Sequence, residues 1–283
     1  MVEVLISGLL NGLIYALVAA GLALIWGITD TLNFAHGEFL MLGMYTAYWA
    51  YTLYQVDPLF SAPISAILLA FLGFATYALI VRRIQGAPPL AQILATFGLA
   101  LTLRYGAFLA FSPDYRSISH TLVSGSLHLG PFQVGLPQAF AATVSLAIFL
   151  LVYHLVYRTR WGLSLLAVAE NRKVAALMGI DPNRTGAQVW MLGSALVGLA
   201  GALLTTYFYV YPEVGVVFGL TAFAAVALGG FGSVPGAFLA GVFLGVIEAL
   251  AGYILAPALK GAVVFTVFLL VLWFRPQGFF GRW

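Results

Sequence analysis

The sequence contains no cysteine, and only 7% of its 283 residues carry a charge. The absence of cysteine excludes disulfide bonds, thiol catalysis and cysteine-bound metal. An ordinary soluble domain has about 25% charged residues, so the scarcity of charge argues against that class of protein. The 12 basic residues form no continuous stripe of the kind that follows a nucleic-acid backbone. No G-x-x-x-x-G-K-[ST] motif is present, so the chain cannot hold nucleotide phosphates in a P-loop.

Long apolar stretches make up most of the chain. Hydrophobic residues account for 63% of the sequence, and the mean hydropathy is +1.03. A helix needs about 20 mostly apolar residues to cross a bilayer, and these stretches are continuous rather than alternating, which favours helices over a β-barrel. The clearest spans are the uncharged runs Val4–Gly27, Ala62–Val81, Pro137–Tyr157 and Gln188–Tyr209.

The other apolar stretches are less regular. Val214–Leu228 is too short for a full span, so we expect a half-helix or a re-entrant segment there. The sequence therefore predicts an all-α integral membrane protein, a polytopic bundle of about eight or nine transmembrane helices with broken or re-entrant segments. The further spans are expected at Phe39–Tyr54, Pro88–Phe111, Ala237–Leu255 and Ala256–Phe274.

Basic residues in the short loops predict the orientation, because Lys and Arg concentrate on the cytoplasmic side of a membrane. Alternating the predicted crossings puts every basic cluster on one side, with the amino terminus outside and the carboxyl terminus in the cytoplasm. Residues 1–283 are then one transmembrane domain with a cytoplasmic loop at residues 158–186. The clusters are Arg82 and Arg83, then Arg158, Arg160, Arg172, Lys173 and Arg184, and finally Arg275 and Arg282.

The loop contains "VAENRKVAALMGIDPNR", which gathers charges around a small apolar patch. Val174, Leu177 and Met178 are spaced for one face of a helix, which predicts a short amphipathic helix over Glu170–Met178. Gly179 is expected to cap this helix in the left-handed conformation before Asp181 and Pro182 turn the chain. Such a helix could lie on anionic lipid headgroups. Alternatively, a cytoplasmic partner protein could bind it.

"AENRKVAALMGIDPNR" resembles the cytoplasmic coupling segment of permeases in bacterial ABC importers of the branched-chain amino acid class. Its most specific companions are "NFAHGE" and "GGFGSVPG", and the similarity is to the H-type permease subunit. Phe34 in "NFAHGE" favours amino acids, because a related urea permease group tends to have Met there. Other similar segments occur in the same order, at Gly12–Tyr45, Leu196–Leu204, Ala222–Leu250 and Arg275–Arg282.

The resemblance implies a transport subunit without enzymatic activity in the bacterial inner membrane. It would carry branched-chain or related hydrophobic or neutral amino acids. Its partners would be a second, similar permease, two cytoplasmic ATP-binding subunits and a periplasmic substrate-binding protein. This chain would bind no cofactor, and Mg-ATP would be held by the ATP-binding subunits. In the coupling segment, Glu170 and Arg172 would be polar residues that fix the register of the helix against the ATP-binding subunit. The residues in contact with that subunit would be Ala175, Ala176, Leu177, Gly179 and Ile180.

Polar residues also occur between apolar runs. If Asn33, His36 and Glu38 lie at the cytoplasmic end of the first span, they are ordinary loop residues. If the second span is a broken helix that starts inside the membrane, with Gly37 permitting the break, they line the substrate path or its gate. The resemblance favours the second placement. "HGE" lacks a second histidine at i+4, so no metal site is expected.

The segment "GGFGSVPG" predicts a non-helical break. It either contacts substrate or forms part of the gate through Gly229, Gly230, Gly232 and Ser233, or it is a plain cytoplasmic turn.

Arg104 and Glu248 are intramembrane charges that could form an ion pair. Alternatively, Arg104 extends to the outer interface and Glu248 faces the partner permease.

Two other transport functions stay open at this stage. The chain could carry urea or short amides within the same family, or it could be a self-sufficient ion-coupled secondary transporter that uses Glu38 or Glu248. A stand-alone carrier has no obvious need of a cytoplasmic amphipathic helix, which favours the importer. An intramembrane enzyme is the least supported class, because no nucleophile with an assignable base is found.

Overall fold

The computed structural model describes residues 1–129 and 132–281, almost all of them helical or in short connections. The first half contains α1 (Val2–Thr29), α2 (His36–Tyr54), α3 (Pro58–Thr76), a π-helical turn (Tyr77–Val81), α4 (Arg82–Ile84) and α5 (Pro89–Phe111). A two-stranded antiparallel hairpin of β1 (Ser126–Leu129) and β2 (Phe132–Gly135) follows. The second half contains α6 (Leu136–Arg158), α7 (Arg160–Glu170), α8 (Arg172–Leu177), α9 (Pro182–Leu204), α10 (Val214–Gly229), α11 (Val234–Ile254), a 3-10 turn (Pro257–Leu259) and α12 (Lys260–Phe274).

Within the described ranges, seven helices are long and apolar enough to cross a membrane. One of them is continuous from α3 through the π-helical turn to α4. Helix α2 has 19 residues but is less apolar, and α10 has only 16. The prediction of an all-α membrane protein is confirmed. The small hairpin between α5 and α6 was not predicted from the sequence.

Helix α1 is the centre of the bundle and packs against α6, α9, α10 and α11. Its contact with α11 is close because small residues face each other: a Cβ on Gly12 would lie 2.7 Å from the carbonyl oxygen of Val242. Small residues let helix backbones approach where lipid gives no hydrophobic driving force between helices. The buried side chains are concentrated around α1, α2 and α9, whereas α5 and α12 expose most of their surface.

The two ends of the bundle differ in charge. One end carries the carboxyl ends of α1 and α4 together with α7, α8 and Arg275, and we call it the basic end. The other, the hairpin end, carries the amino terminus, where Gln133 N donates to Glu3 (2.7 Å). Arg282, the last member of the predicted tail cluster, lies outside the described residues. The basic end carries Arg82, Arg83, Arg158, Arg160, Arg172, Lys173, Arg184 and Arg275.

Helix α2 starts deep inside the bundle. After α1 ends at Thr29, the chain turns at Asp30, which has a φ of 51°, and runs back along α1. His36 then lies 3.0 Å, Nε2 to oxygen, from the carbonyl of Val18. Val18 precedes Thr29 by 11 residues, which places the start of α2 about 16 Å from the end of α1. This is the second of the two placements considered for "NFAHGE".

Helix α10 starts at a similar depth and is the half-helix that its length predicted. Gly37 in α2 packs so closely against Gly215 in α10 that a Cβ on Gly37 would overlap the carbonyl oxygen of Gly215. At its other end, α10 reaches the basic end, where Gly230 has a φ of 93°. Gly27 of α1 and Gly232 after α10 approach closely there, because a Cβ on Gly27 would lie 3.0 Å from Gly232 Cα. Two discontinuous helices therefore meet with their amino ends in the middle of the protein.

Candidate functional site

A central cavity of about 160 Å³ opens where the amino ends of α2 and α10 meet α1 and α5. Its polar lining consists of Asn33, His36, Glu38 and Arg104. The rest of the lining is glycine and apolar side chains, including Phe34, Leu220, Phe97, Ala100 and Phe223. The structure thus brings together the three polar residues of "NFAHGE" and adds Arg104 to them.

Arg104 forms an ion pair with Glu38. Its Nε donates to Glu38 Oε1 (3.0 Å), and its Nη2 donates to the same oxygen. Glu38 is only 1% exposed, and its Oε2 has no hydrogen-bond partner among the residues that the structure describes. A buried carboxylate is costly unless it is paired, and Arg104 supplies the opposite charge.

The predicted pair between Arg104 and Glu248 is wrong. Helix α5 packs against α2, whereas α11 packs against α1 on another side of the bundle. Glu248 lies near the hydroxyl of Tyr15 and lines a separate cavity with Asn11 and Lys260. Both charges were located correctly inside spans, but sequence spacing could not show which helix faces which.

In the side chains of His36 and Asn33, one polar atom forms a hydrogen bond and another has no partner among the described residues. His36 Nε2 donates to the Val18 carbonyl, which leaves Nδ1 as an acceptor in the neutral ring. Asn33 Oδ1 accepts from Ala35 N (3.1 Å) and holds the turn before α2. In the described part of the chain, His36 Nδ1 and Asn33 Nδ2 find no partner. Such buried groups cost about 1–3 kcal/mol each when left unpaired, so the cavity is suited to a polar ligand or water.

The backbone adds donors to this cavity. The amides of Gly37 and Glu38 lie in the first turn of α2, and neither donates to an acceptor within the described residues. The amino end of a helix carries a partial positive charge and binds anions. Helix α10 also begins here, and among the described residues no side chain caps its amino end. Two broken helices whose amino ends converge inside a membrane protein form a recurrent type of substrate site.

Helix α8 begins at Arg172, two residues later than the predicted start of the coupling helix at Glu170. Asn171 separates α7 from α8 because its Oδ1 accepts from the amides of Lys173 and Val174 (both 3.0 Å), which caps a new helix. Glu170 is therefore the exposed last residue of α7 and not the first turn of the coupling helix, so a single helix over Glu170–Met178 is wrong. The Asn171 side chain competes with the helical backbone, as Asn does at caps.

The other end of α8 is as predicted. Gly179 has a φ of 85°, which favours glycine. Its amide donates to the Ala176 carbonyl (3.1 Å), and the amide of Ile180 donates to the Ala175 carbonyl (3.0 Å). This pair of bonds is the Schellman arrangement, which satisfies carbonyls that the helix end would leave free.

Helix α8 exposes an apolar face at the basic end. Leu177 and Met178 are 86% and 78% exposed, and Val174 is 53% exposed. Ala176 and Gly179 are also exposed, so these residues are free to contact a partner. Ala175 is 3% exposed and packs inward, so its prediction as a partner contact is wrong. Ile180 is half-buried against the core and offers little free surface.

Arg172 connects α8 to the rest of the protein. Its Nη2 donates to Gln85 Oε1 (2.8 Å). Arg172, which was predicted to fix the register of the helix on a partner, therefore bonds to a residue of its own chain. Gln85 Nε2 is in turn 3.4 Å from the Thr29 carbonyl, and the Tyr77 hydroxyl also reaches Gln85 Oε1 (3.4 Å). Thr29 is the last residue of α1, directly before the loop that leads to Asn33. Gln85 was missed because a lone glutamine after two arginines carries no sequence signal.

The "GGFGSVPG" segment lies at the basic end, away from the central cavity. Ser233 Oγ accepts from Gly236 N (3.2 Å) and caps α11. Gly229 and Gly230 instead pack against the tail, where Phe279 N donates to the Leu228 carbonyl (2.7 Å) and Phe280 N to the Gly229 carbonyl (3.2 Å). These glycines therefore do not line the central cavity, and their position at the basic end agrees with the alternative of a turn on that side.

Gly232 lines a larger cavity of about 850 Å³ at the basic end, together with Trp26, Asp30, Gln85 and Arg172. This cavity lies between the end of α1, the connection from α4 to α5, and α7–α8. The Arg172–Gln85 bond thus lies in its wall.

The family model for the permease component of branched-chain amino acid transport systems matches residues 4–272. The high-affinity branched-chain amino acid transport system permease protein BraD of Pseudomonas aeruginosa is 32% identical over 294 residues, which cover 98% of this chain and 95% of BraD. The permease protein LivH of Escherichia coli is 31% identical over 299 residues, covering 98% and 94%. A probable LivH of Methanocaldococcus jannaschii is 32% identical over 249 residues, covering 86% and 78%.

No solved structure matches the chain significantly. The family match nevertheless extends from the first helix to the last, across the central cavity and the coupling segment. Seven helices in the described part of the chain are long and apolar enough to span a membrane, which agrees with this match. The chain therefore belongs to the family of permease components of branched-chain amino acid transport systems, as a multi-pass membrane protein.

Proposed function

We propose that the chain is the membrane-spanning subunit of an ATP-driven importer that carries branched-chain or related hydrophobic amino acids. The observation that carries this proposal is α8, a capped helix that presents bare apolar side chains at the basic end and is bonded through Arg172 to the core. A carrier working alone would gain nothing from an exposed leucine and methionine at that place. Its relatives along nearly the whole chain are named as branched-chain amino acid permeases.

The basic end faces the cytoplasm in this proposal. The described part of that end holds eight of the basic residues, and Lys and Arg accumulate on the cytoplasmic side. The amino terminus and the hairpin then face outward, where a substrate-binding protein delivers the ligand. The carboxyl terminus lies inside.

Helix α8 transmits the conformational change of the ATP-binding subunits to the membrane-spanning helices. Leu177 and Met178 insert into a groove of one such subunit, and closure of that subunit on Mg-ATP moves α8 as a rigid body. Arg172 passes this movement to Gln85 and then to the end of α1, next to the loop that sets the start of α2. Nucleotide binding and hydrolysis belong to the partner subunits, and this chain binds no cofactor.

The central cavity is part of the substrate path. It borders a face on which Phe34, Phe97 and Leu220 remain 38%, 47% and 45% exposed. We place a second permease subunit against this face, so that the path runs between the two. Asn33, His36 and Glu38 then line the path, and the contact of Gly37 with Gly215 forms the gate.

Reconstitution into proteoliposomes tests the proposal. The chain is combined with its second permease, ATP-binding subunits and binding protein, and uptake of tritiated L-leucine is measured with and without Mg-ATP. We expect uptake that requires ATP and that is lost in Leu177→Glu, which also releases the ATP-binding subunit on purification. Leu163→Glu, an exposed leucine on α7 at the same end, is the matched control.

Three results would overturn the proposal. Leucine uptake driven by an ion gradient without ATP would indicate a secondary transporter. Uptake of urea or acetamide but not of leucine would assign the chain to amide transport. Equal loss with Leu163→Glu would mean that α8 is not the specific contact.

A further inference from the structure

The central cavity contains a negative and a positive side chain, and it contains both hydrogen-bond donors and acceptors. Two acceptors, Glu38 Oε2 and His36 Nδ1, are buried and unpartnered among the described residues. Asn33 Nδ2 is a buried donor in the same condition. Arg104 has five N–H donors, and its contacts with Glu38 use Nε and Nη2. The ion pair therefore leaves an acceptor on Glu38 and donors on Arg104 for a third group.

The charge balance of the cavity selects for a neutral ligand that has separated charges. Glu38 and Arg104 together carry no net charge. A ligand with a net charge would add an uncompensated charge in a low-dielectric site, which is costly. An uncharged molecule would leave the spare atoms with only weak partners. A zwitterion keeps the total at zero and offers a charged group to each side.

We propose that this cavity is a binding site for the zwitterionic head of a free α-amino acid. Arg104 and Asn33 Nδ2 donate to the α-carboxylate, and the free amides at the start of α2 are further donors at this cavity. Glu38 Oε2 and His36 Nδ1 accept from the α-ammonium group. The aliphatic side chain lies against Phe34 and its apolar neighbours. This inference rests on the proposed function and adds a selectivity site within the permease itself, independent of the binding protein.

The competing explanation is that Glu38 and Arg104 form a purely structural pair. A double substitution separates the two. Removing one partner leaves an unpaired charge and is destabilising, whereas removing both is often nearly neutral for stability. A structural pair therefore predicts that Glu38→Gln/Arg104→Gln recovers both the amount of assembled complex and leucine uptake. A binding site predicts that the double variant recovers assembly but not uptake.

The transport experiment uses the complete complex in proteoliposomes, with ATP-driven uptake of tritiated L-leucine normalised to assembled complex. We expect the double variant to assemble and to take up leucine at least about tenfold more slowly, since charge-assisted contacts to both ends of the ligand are gone. Glu248→Gln is the matched control, because it neutralises an intramembrane carboxylate outside this cavity, and its uptake should equal that of the unmodified complex.

A binding experiment tests the ligand class directly. Tritiated L-leucine is bound to the purified complex without binding protein and displaced by leucinol, which lacks the carboxylate, or by 4-methylpentanoate, which lacks the ammonium group. Each analogue should compete at least about tenfold more weakly than L-leucine, and urea should not compete.

The outcomes separate this inference from the proposed function. If the unmodified complex imports leucine with ATP but the double variant does so equally, the inference fails and the proposed function stands. Equal competition by either analogue, or the absence of saturable leucine binding, also overturns the inference. If the unmodified complex imports no amino acid with ATP, the proposed function itself fails.

Discussion

Replacing Gln85 with leucine should uncouple ATP hydrolysis from transport. Gln85→Leu puts a slightly shorter apolar side chain at this position, and it removes the acceptor for Arg172 (2.8 Å) and the donor to the Thr29 carbonyl. A hydrogen bond from a charged donor contributes about 1.5–3 kcal/mol. Because both side chains are only half-buried and the Thr29 contact is long, we take the lower value, which corresponds to about a tenfold change.

The assay compares two rates in the reconstituted importer, leucine uptake and ATP hydrolysis stimulated by the binding protein. We expect the number of leucine molecules imported per ATP to fall about tenfold in Gln85→Leu, with complex assembly maintained because α8 keeps its own caps. Gln92→Leu is the control. Gln92 lines the same cavity, but its Nε2 bonds only locally, to the Ala87 carbonyl (3.0 Å).

Gln85→Glu identifies which bond matters. It keeps an acceptor for Arg172 and loses the donor to Thr29. An intermediate effect means that both bonds transmit movement. If Gln85→Leu imports leucine with unchanged stoichiometry, or if Gln92→Leu shows the same loss, the connection from α8 to α1 through Gln85 is refuted.

Three further substitutions test separate parts of the argument. Gly179→Val puts a β-branched residue at a φ of 85°, so it should distort the end of α8 and abolish uptake while membrane insertion, measured by expression, is retained. Asn171→Ala removes the cap of α8 and should weaken that helix by about 1 kcal/mol, with uptake reduced severalfold and restored by Asn171→Asp. Gly37→Ala adds a methyl group against Gly215 and should lower the melting temperature of the complex, whereas Gly98→Ala, which has open space around it, should not. Normal uptake by Gly179→Val, equal uptake by both Asn171 variants, or equal melting of the two alanine variants would each contradict the corresponding argument.

The sequence determined the features that depend on neighbouring residues. Composition and long apolar runs predicted a helical membrane protein, since the cost of exposing polar backbone to lipid leaves few other solutions. The φ of Gly179 followed from a glycine after an amphipathic stretch. The short length of Val214–Leu228 predicted the half-helix α10. The motifs at Asn33–Glu38 and Glu170–Ile180 indicated the family, which the match over residues 4–272 confirmed.

Which side chains face one another depends on how the helices pack in three dimensions. Arg104 bonds to Glu38 rather than Glu248 because the bundle places α5 beside α2 and α11 beside α1. Ala175 is buried although its helical neighbours are exposed, because the orientation of α8 is set by contacts with distant residues, among them Gln85. Periodicity and hydropathy describe the preference of one residue or one helix for its surroundings. The polar contacts inside a membrane bundle depend instead on how complete helices pack, and that arrangement is not contained in any short stretch of the sequence.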